Sequence, residues 1–453
     1  MSCYAVRDMS ETLNTSQCLL EVAEANRDGK RRGVASICSA NRFVLQAAMI
    51  EARADGSVVC IESTSNQVNQ FGGYSGMSAS DFVNFAGGIA RETGFPTERI
   101  LLGGDHLGPF PWQEESARTA MAKAGDLVRT CVLAGYTKIH LDTSMRCADD
   151  PGGPGAPLSE ETATERAALL CEIAEHAYSM RPAGSPAPLY VIGTEVPVPG
   201  GEQEESHIQI TRTGDLQRTI ELTRKAFKKR GLDSAWQRVV AVVVQPGVEF
   251  GDATIVEYDR GKARELSSCI KGIDRLVYEA HSTDYQTRLS LRRMVEDHFA
   301  ILKVGPWLTF AAREAIFALE AMEVEGLSGR KGLKLSGLRR ALEEAMLENP
   351  RHWQKYYRGS EVDLRLARSF SFSDRCRYYW PQPRVQQALQ RLLQNLSDYP
   401  VPLTLLSQFM PDQYEAVREA RLRAQPLDLV RDKVARVLAL YSDACGNATD
   451  HAD

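Results

Sequence analysis

Eight short apolar runs recur between residues 34 and 304, and each closes on polar side chains. They are Val34 to Cys38, Val58 to Ile61, Ile100 to Leu102, Lys138 to Leu141, Leu189 to Ile192, Val239 to Val244, Leu276 to Glu279 and Ile301 to Val304. Runs this short, bounded by turn residues, read as buried strands. Helical spacing fills the gaps, as in Phe43 to Glu51, Ser116 to Ala134, Glu161 to Tyr178 and Thr213 to Arg230. Strand followed by helix, eight times over, predicts an α/β fold closed into a (β/α)8 TIM barrel. A doubly wound open sheet is the alternative, but no glycine-rich dinucleotide loop follows the first run. Residues 10–28 read as a helix leading into the barrel, stopped by the charged turn Asp28 to Gly33. The repeat ends near Gly326, and Ser328 to Gly332 reads as a linker. The expected division is a barrel over 1–326 and a C-terminal helical appendage over 327–453. The appendage helices are predicted at Leu338 to Leu347, Arg384 to Leu396, Leu403 to Arg421 and Leu427 to Tyr441.

In either fold the C-terminal ends of the strands form the active face. Polar side chains should then gather at run ends, and they do. Asn41, Glu62, Asn66, Asp105, His106, Asp142, Glu195, Gln245, Glu249, His281, Ser282 and Asp284 all follow a run, whereas the starts carry surface residues such as Ser57, Arg99 and Arg238. The stretch Gly103-Gly104-Asp105-His106-Leu107-Gly108-Pro109 stands out. Its glycines allow a sharp turn and close approach, and its acid and imidazole suit proton transfer and metal ligation. A helix-capping Asp beside a structural His fits the same dipeptide. Acids after strands often cap the next helix, and Asp142 and Asp284 suit that role best. Glu195 does not, because Val196-Pro197-Val198-Pro199-Gly200-Gly201 follows it.

His106 and His281 follow runs directly. With a carboxylate such as Glu249 or Glu195 they would make a site for zinc, manganese or a similar divalent metal. His140 lies within the fourth run and faces either the barrel interior or the surrounding helices. Lys303, in the eighth run, suits a Schiff base or, more commonly, pairing to an interior acid. Asp105 or Asp142 would move a proton to or from a sugar hydroxyl. In the appendage, Arg375 and Arg377 lie among hydroxyls and aromatics over Phe370 to Trp380. That setting suits phosphate binding, or packing onto the barrel.

Composition narrows the classes. Of 453 residues, 43% are hydrophobic and 25% charged, an ordinary globular balance. A net charge of −5 gives no support for nucleic acid or an anionic membrane as partner. No apolar run is long enough to span a bilayer. Met1 to Gly33 lacks a basic-then-apolar leader, and the ten cysteines show no metal spacing, so a reducing cytoplasm is expected. No phosphate-cradling G-x-x-x-x-G-K-[ST] loop is present.

Several longer stretches then resemble one family. Glu62 to Tyr74, Gly103 to Pro109, Lys138 to Asp142, Gly193 to Gly201, Val244 to Phe250, Tyr278 to Thr287 and Arg375 to Pro381 are similar to hallmarks of the GatZ/KbaZ family of tagatose-bisphosphate aldolase subunits. The resemblance spans nearly the whole chain. It implies a barrel related to class II ketose-bisphosphate aldolases, acting in tagatose or galactitol breakdown. It implies Asp105 as a proton-transfer acid, His106 and His281 as metal ligands, and Glu195 with Gly200-Gly201 as the group's acid and glycine pair. Glu249 stands where the group has its remaining metal histidine. The function expected is metal-dependent C4 epimerisation of a ketohexose phosphate, D-tagatose 6-phosphate to D-fructose 6-phosphate, by retro-aldol and aldol chemistry. Asp105, Asp142 and Glu195 are the expected catalytic residues. Asn41, Glu62, Asn66, Gln245, Ser282, Asp284, Arg375 and Arg377 are expected to bind substrate. The alternative is a non-catalytic subunit that stabilises a separate catalytic class II aldolase chain. A kinase activity carried by some members finds no supporting motif, and association into an oligomer is expected.

Overall fold

The apolar runs pair edge to edge, since a strand buried on both faces needs a neighbour on each side for its backbone. The computed structural model describes residues 15–152, 157–193 and 208–447. Its strands are β1 Val34–Cys38, β2 Val59–Thr64, β3 Ile100–Leu107, β4 Lys138–Leu141, β5 Leu189–Ile192, β6 Val239–Val244, β7 Glu249–Phe250, β8 Ile255–Val256, β9 Val277–Ala280 and β10 Phe299–Val304. Strands β7 and β8 form a small antiparallel pair outside the barrel. The other eight close in the order β1-β10-β9-β6-β5-β4-β3-β2, parallel throughout. This is the (β/α)8 barrel.

The third strand is longer than its apolar run. It continues to Leu107 because Gly103 and Gly104 stay in register, facing Glu62 and Ser63 of β2. A Cβ on Gly103 would lie 2.7 Å from the Glu62 Oε1, so glycine makes room for that carboxylate. Asp105 and His106 are therefore on the strand and not on a loop after it. Against β4 the register shifts between Gly104 and Leu107. Such a bulge re-aims side chains.

Helix Thr15–Arg27 closes the N-terminal end of the barrel, where Leu19 and Ala23 pack on Leu101, Val191, Val240 and Ile301. Above this apolar layer the interior is charged. Lys138 is buried between Glu62 and Glu279, 2.7 Å from the latter. Lys303 contacts Asp105 and lies 4.0 Å from Glu62 and 3.8 Å from Glu279. Burial alone would lower the Lys138 pKa, but attraction to Glu279 and Glu62 outweighs it and holds the ammonium charged.

Past residue 327 the described helices are Leu338–Glu348, Glu361–Phe370, Pro383–Asp398, Leu403–Phe409, Pro411–Arg418 and Pro426–Ala444. The single helix expected from Leu403 to Arg421 is broken at Met410. Pro411 clashes with a continuing helix and starts a new one. The Glu361–Phe370 helix was not anticipated. Two acids of the long helix Pro306–Leu327 fasten the appendage. Glu323 accepts from the Ser336 and Asn395 side chains, and Glu320 accepts from the Arg339 backbone at 3.1 Å. The last helix packs back against the barrel helices Arg42–Asp55, Arg288–Glu296 and Pro306–Leu327. No described helix is long and apolar enough to cross a membrane.

The Lys138→Met variant should lose about 3–5 kcal/mol of stability in urea denaturation, because it strands two buried carboxylates. Adding Glu279→Gln should recover part of that loss. A loss below about 1 kcal/mol would show that the interior charges do not depend on this lysine.

Candidate metal centre

Residues two apart on a strand share a face. On β4 that puts Lys138 and His140 inside the barrel, and Glu279 at the end of β9 brings His281 with it on the same face. The bulge in β3 turns His106 towards the same space, with φ of 49°. The three imidazoles His106, His140 and His281 face one another, their ring centroids 5.1, 4.9 and 5.1 Å apart.

Each imidazole leans on one carboxylate. His106 Nδ1 is 2.8 Å from Asp142 Oδ2, His140 Nδ1 is 2.9 Å from Asp105 Oδ1, and His281 Nε2 is 3.0 Å from Glu279 Oε1. The backbone N–H of His106 also lies 3.2 Å from His140 Nδ1. Donation of one ring N–H to a carboxylate fixes the tautomer and leaves the other nitrogen with its lone pair. Those remaining nitrogens are Nε2 of His106 and Nδ1 of His281, whereas His140 accepts the His106 backbone N–H at Nδ1. His140 Nε2 is buried and has no hydrogen-bond partner among the described residues. Burial, helped by the neighbouring imidazoles, lowers His140 to about 4 and His281 to about 3, so both rings are neutral near pH 7. Asp142 is held well below its usual range. Burial works against this, but its hydrogen bond to His106 prevails.

Neutral imidazoles backed by carboxylates are what a divalent cation of the zinc or manganese type requires. The ligand atoms that lie within 4.8 Å of one another come from Asp105, His140, Glu279 and His281, and the expected ligand His106 stands beside this group and not in it. The residues present fit a metal. Cys38, Glu62 and Asp105 form a second close group. There the ammonium of Lys303 already stands against Asp105, and Cys38 is pushed up by burial and kept a thiol, so that group is a lysine-neutralised cluster.

The metal centre opens into a cavity of about 730 Å³, counting its solvent-open mouth. Of the residues anticipated from sequence, Asn66, Asp105, His106, His281, Ser282, Asp284 and Arg377 line it. Others are engaged elsewhere. Asn41 caps helix Arg42–Asp55, accepting from Phe43 and Val44. Glu62 belongs to the interior charge layer. Asp142 lies behind His106 and also accepts from the Ser144 hydroxyl at 2.7 Å. Gln245 accepts from the Gly247 and Val248 backbone in its own turn. Glu249 is buried in the β7–β8 pair, where it accepts from the Phe250 N–H, and it is not among the atoms that converge. Arg375 packs against the Tyr356 ring. Glu195 lies outside the described residues.

Sequence reading did not assign His140, Glu279, Tyr74, Thr309 or Tyr378. For the first two, the period-2 pairs Lys138/His140 and Glu279/His281 carried the signal. Tyr74 and Tyr378 meet edge to edge, ring centroids 4.6 Å apart, across the mouth. Arg377 is half-buried beside them. It donates to the Tyr378 hydroxyl at 2.9 Å and to the Asp374 carbonyl at 3.1 Å, and pairs with no carboxylate among the described residues.

Residues 19–446 match the family model described as D-tagatose-1,6-bisphosphate aldolase subunit GatZ/KbaZ-like. A solved structure of a probable tagatose 6 phosphate kinase from Sinorhizobium meliloti 1021 is 43% identical. That alignment covers 91% of this chain and 100% of that one, with a TM-score of 0.83. The fructuronate-tagaturonate epimerase UxaE from Cohnella laeviribosi aligns at 13% identity over 91% of this chain and 81% of that one, with a TM-score of 0.42. A fructose-bisphosphate aldolase from Campylobacter jejuni aligns at 12% over 85% and 93%, with a TM-score of 0.41. Scores that low carry no inference.

Asp284 accepts from the backbone of Gly305 at 3.0 Å and Trp307 at 2.8 Å, so it caps helix Pro306–Leu327 from the turn after β9. Burial raises its pKa to about 6, against the pull of those bonds. A carboxyl raised on folding stabilises the fold fully below its unfolded pKa, and that contribution is lost as pH rises through the folded value. From about pH 4 to about pH 7 the wild-type chain should lose roughly 3 kcal/mol relative to Asp284→Asn. Parallel pH profiles of urea stability for the two chains would refute the raised value.

Proposed function

The chain belongs to the GatZ/KbaZ-like family of D-tagatose-1,6-bisphosphate aldolase subunits, and from that premise we propose that it is itself an enzyme. Its reaction is the metal-dependent interconversion of D-tagatose 6-phosphate and D-fructose 6-phosphate, which differ only at C4, within tagatose or galactitol breakdown. The observation that carries this reading is the set of three carboxylate-backed imidazoles at the floor of an open cavity. A stabilising scaffold has no need of three buried imidazoles facing one another beneath an open cavity.

His106, His140 and His281 would hold the cation, oriented by Asp142, Asp105 and Glu279. When bound, a divalent ion there supplies a Lewis acid for the ketose carbonyl. The chain's own groups do the rest. Asp105 keeps Oδ1 on His140 and contacts Lys303, while Oδ2 faces His106 Nε2 at 3.7 Å. It lines the cavity and is the group to take the C4 hydroxyl proton. As that proton leaves, the C3–C4 bond breaks. Its electron pair passes to the C2 carbonyl, giving an enediolate of C1 to C3 and an aldehyde of C4 to C6. Arg377, with Tyr74 and Tyr378, holds the phosphate so that the aldehyde half turns without escaping. C3 then attacks the other face, and Asp105 returns the proton to the C4 oxygen. No redox cofactor is consumed.

The isolated protein, loaded with zinc or manganese, should convert D-tagatose 6-phosphate to D-fructose 6-phosphate. His106→Ala and His140→Ala should each lose the metal by elemental analysis and lower turnover at least about 100-fold, and Asp142→Asn should weaken metal binding about 10–100-fold. If no metal supports turnover, and adding a class II aldolase chain yields triose phosphate, the stabilising-subunit reading replaces this one. Separately, Arg377→Ala should raise KM for the 6-phosphate at least about tenfold. Its effect on unphosphorylated D-tagatose should be small, and equal effects on both sugars would remove Arg377 from phosphate recognition.

A further inference from the structure

A second cavity lies away from the barrel mouth, between helix Pro306–Leu327 and the Met410–Pro411 break of the appendage. It measures about 770 Å³, counting its open side. Phe310, Phe317, Phe370, Phe409 and Met410 make its walls apolar, and Arg313 forms part of the lining. Arg313 is only 2% exposed, with its guanidinium 4.1 Å from the Phe310 ring and 5.4 Å from that of Phe317.

The hydrogen bonding of Arg313 is incomplete. Nε donates to Asp374 Oδ1 at 2.8 Å, yet the buried Nη2 has no partner among the described residues. Buried N–H groups are nearly always satisfied, and an exception calls for a ligand, an ion or water. Holding Asp374 needs one nitrogen. It explains neither the unused edge of the guanidinium nor the open space beside it. The acids nearby do not fill that role. Glu314 and Asp412 are exposed at the rim, and Glu314 lies 3.7 Å from the Lys433 ammonium.

We infer that this cavity is a binding site for a small organic anion with an apolar, aromatic-sized body, its carboxylate or phosphate seated on the free edge of Arg313 and its hydrocarbon among the phenylalanines. Asp374 locks the guanidinium in place beforehand, which reduces the ordering cost of binding. A concave apolar space with a few polar groups at its edge is the usual build of such a site, and here the buried cation is Arg313 while Lys433 is paired with Glu314 at the rim. Asp374 also accepts from Thr309 at 2.6 Å, and its carbonyl receives Arg377. Thr309 and Arg377 line the barrel mouth, so Asp374 contacts residues of both cavities while lining neither. The inference does not depend on the epimerase reading.

The test uses the full chain, with 3-phenylpropionate and phenyl phosphate as anionic probes and 3-phenylpropanol as the neutral control, read by calorimetry and thermal denaturation. At least one anion should bind and raise Tm, and the alcohol should bind at least tenfold more weakly. Ala318→Trp fills the cavity from the same helix without touching Arg313 and should abolish binding, as should Arg313→Gln if it folds. Arg377→Ala should leave binding intact, which separates this site from the barrel mouth. Failure of both anions to bind the wild-type chain, or equal binding of the alcohol, would overturn the proposal. So would unchanged binding in Ala318→Trp or loss of binding in Arg377→Ala.

Discussion

Two lysines inside a closed barrel set the terms for everything above them. An isolated buried charge is too costly to keep, so Lys138 and Lys303 fix where Glu62, Glu279 and Asp105 must stand. Glu62 and Glu279 then stay ionised, and burial, which would raise them, is overcome. For Glu279 the opposing pull comes from Lys138 and His281, and for Glu62 from Lys138 and Lys303. An ionised carboxylate is a strong acceptor for a ring N–H and so orients an imidazole firmly. Lys138 thus acts on His281 through Glu279, and Lys303 acts on His140 through Asp105. The charge layer is the foundation on which a neutral, lone-pair-bearing histidine set can be built.

This layer also explains which parts of the molecule were legible in the chain. Strand positions were readable, because a strand buried on both faces must be apolar on both, and β1, β4, β5 and β6 stand where their runs do. The same rule hid half of the metal centre. Lys138, His140 and Glu279 sit within apolar runs, so a rule that looks for polar residues only at run ends passes over them. Their spacing of two was the available clue. Asn41 and Gln245 were misleading for the opposite reason. They end runs, but turn geometry uses their side chains for capping. The break at Pro411 was missed because apolar spacing continues across a residue that breaks the backbone pattern.

The appendage is less separate than its sequence suggests. Its last helix returns to the barrel, and Tyr441 donates to the Thr283 carbonyl at 2.8 Å. The segment Ser371 to Asp374 is pinned by four residues of the barrel. Asp252 binds Ser371 and Ser373, Tyr285 donates to the Phe372 carbonyl, and Thr309 and Arg313 hold Asp374. A guanidinium three residues further on has little freedom. Arg377 therefore reaches the mouth as a fixed group, although it comes from outside the barrel repeat.

Backbone strain marks the same places. His106, Ser282, Tyr285 and Asp374 have φ of 49°, 53°, 64° and 45°, a region that side chains disfavour. Each such residue costs on the order of 1–3 kcal/mol and persists only where neighbours over-determine it. The neighbours are visible here: Asp142 on His106, Glu279 on the histidine before Ser282, Phe372 on Tyr285, and Thr309 with Arg313 on Asp374. Relaxing His106 to an ordinary strand conformation would swing its ring off the β3 bulge and away from the other two imidazoles. The disfavoured backbone at His106 is therefore what brings its ring to the other two imidazoles.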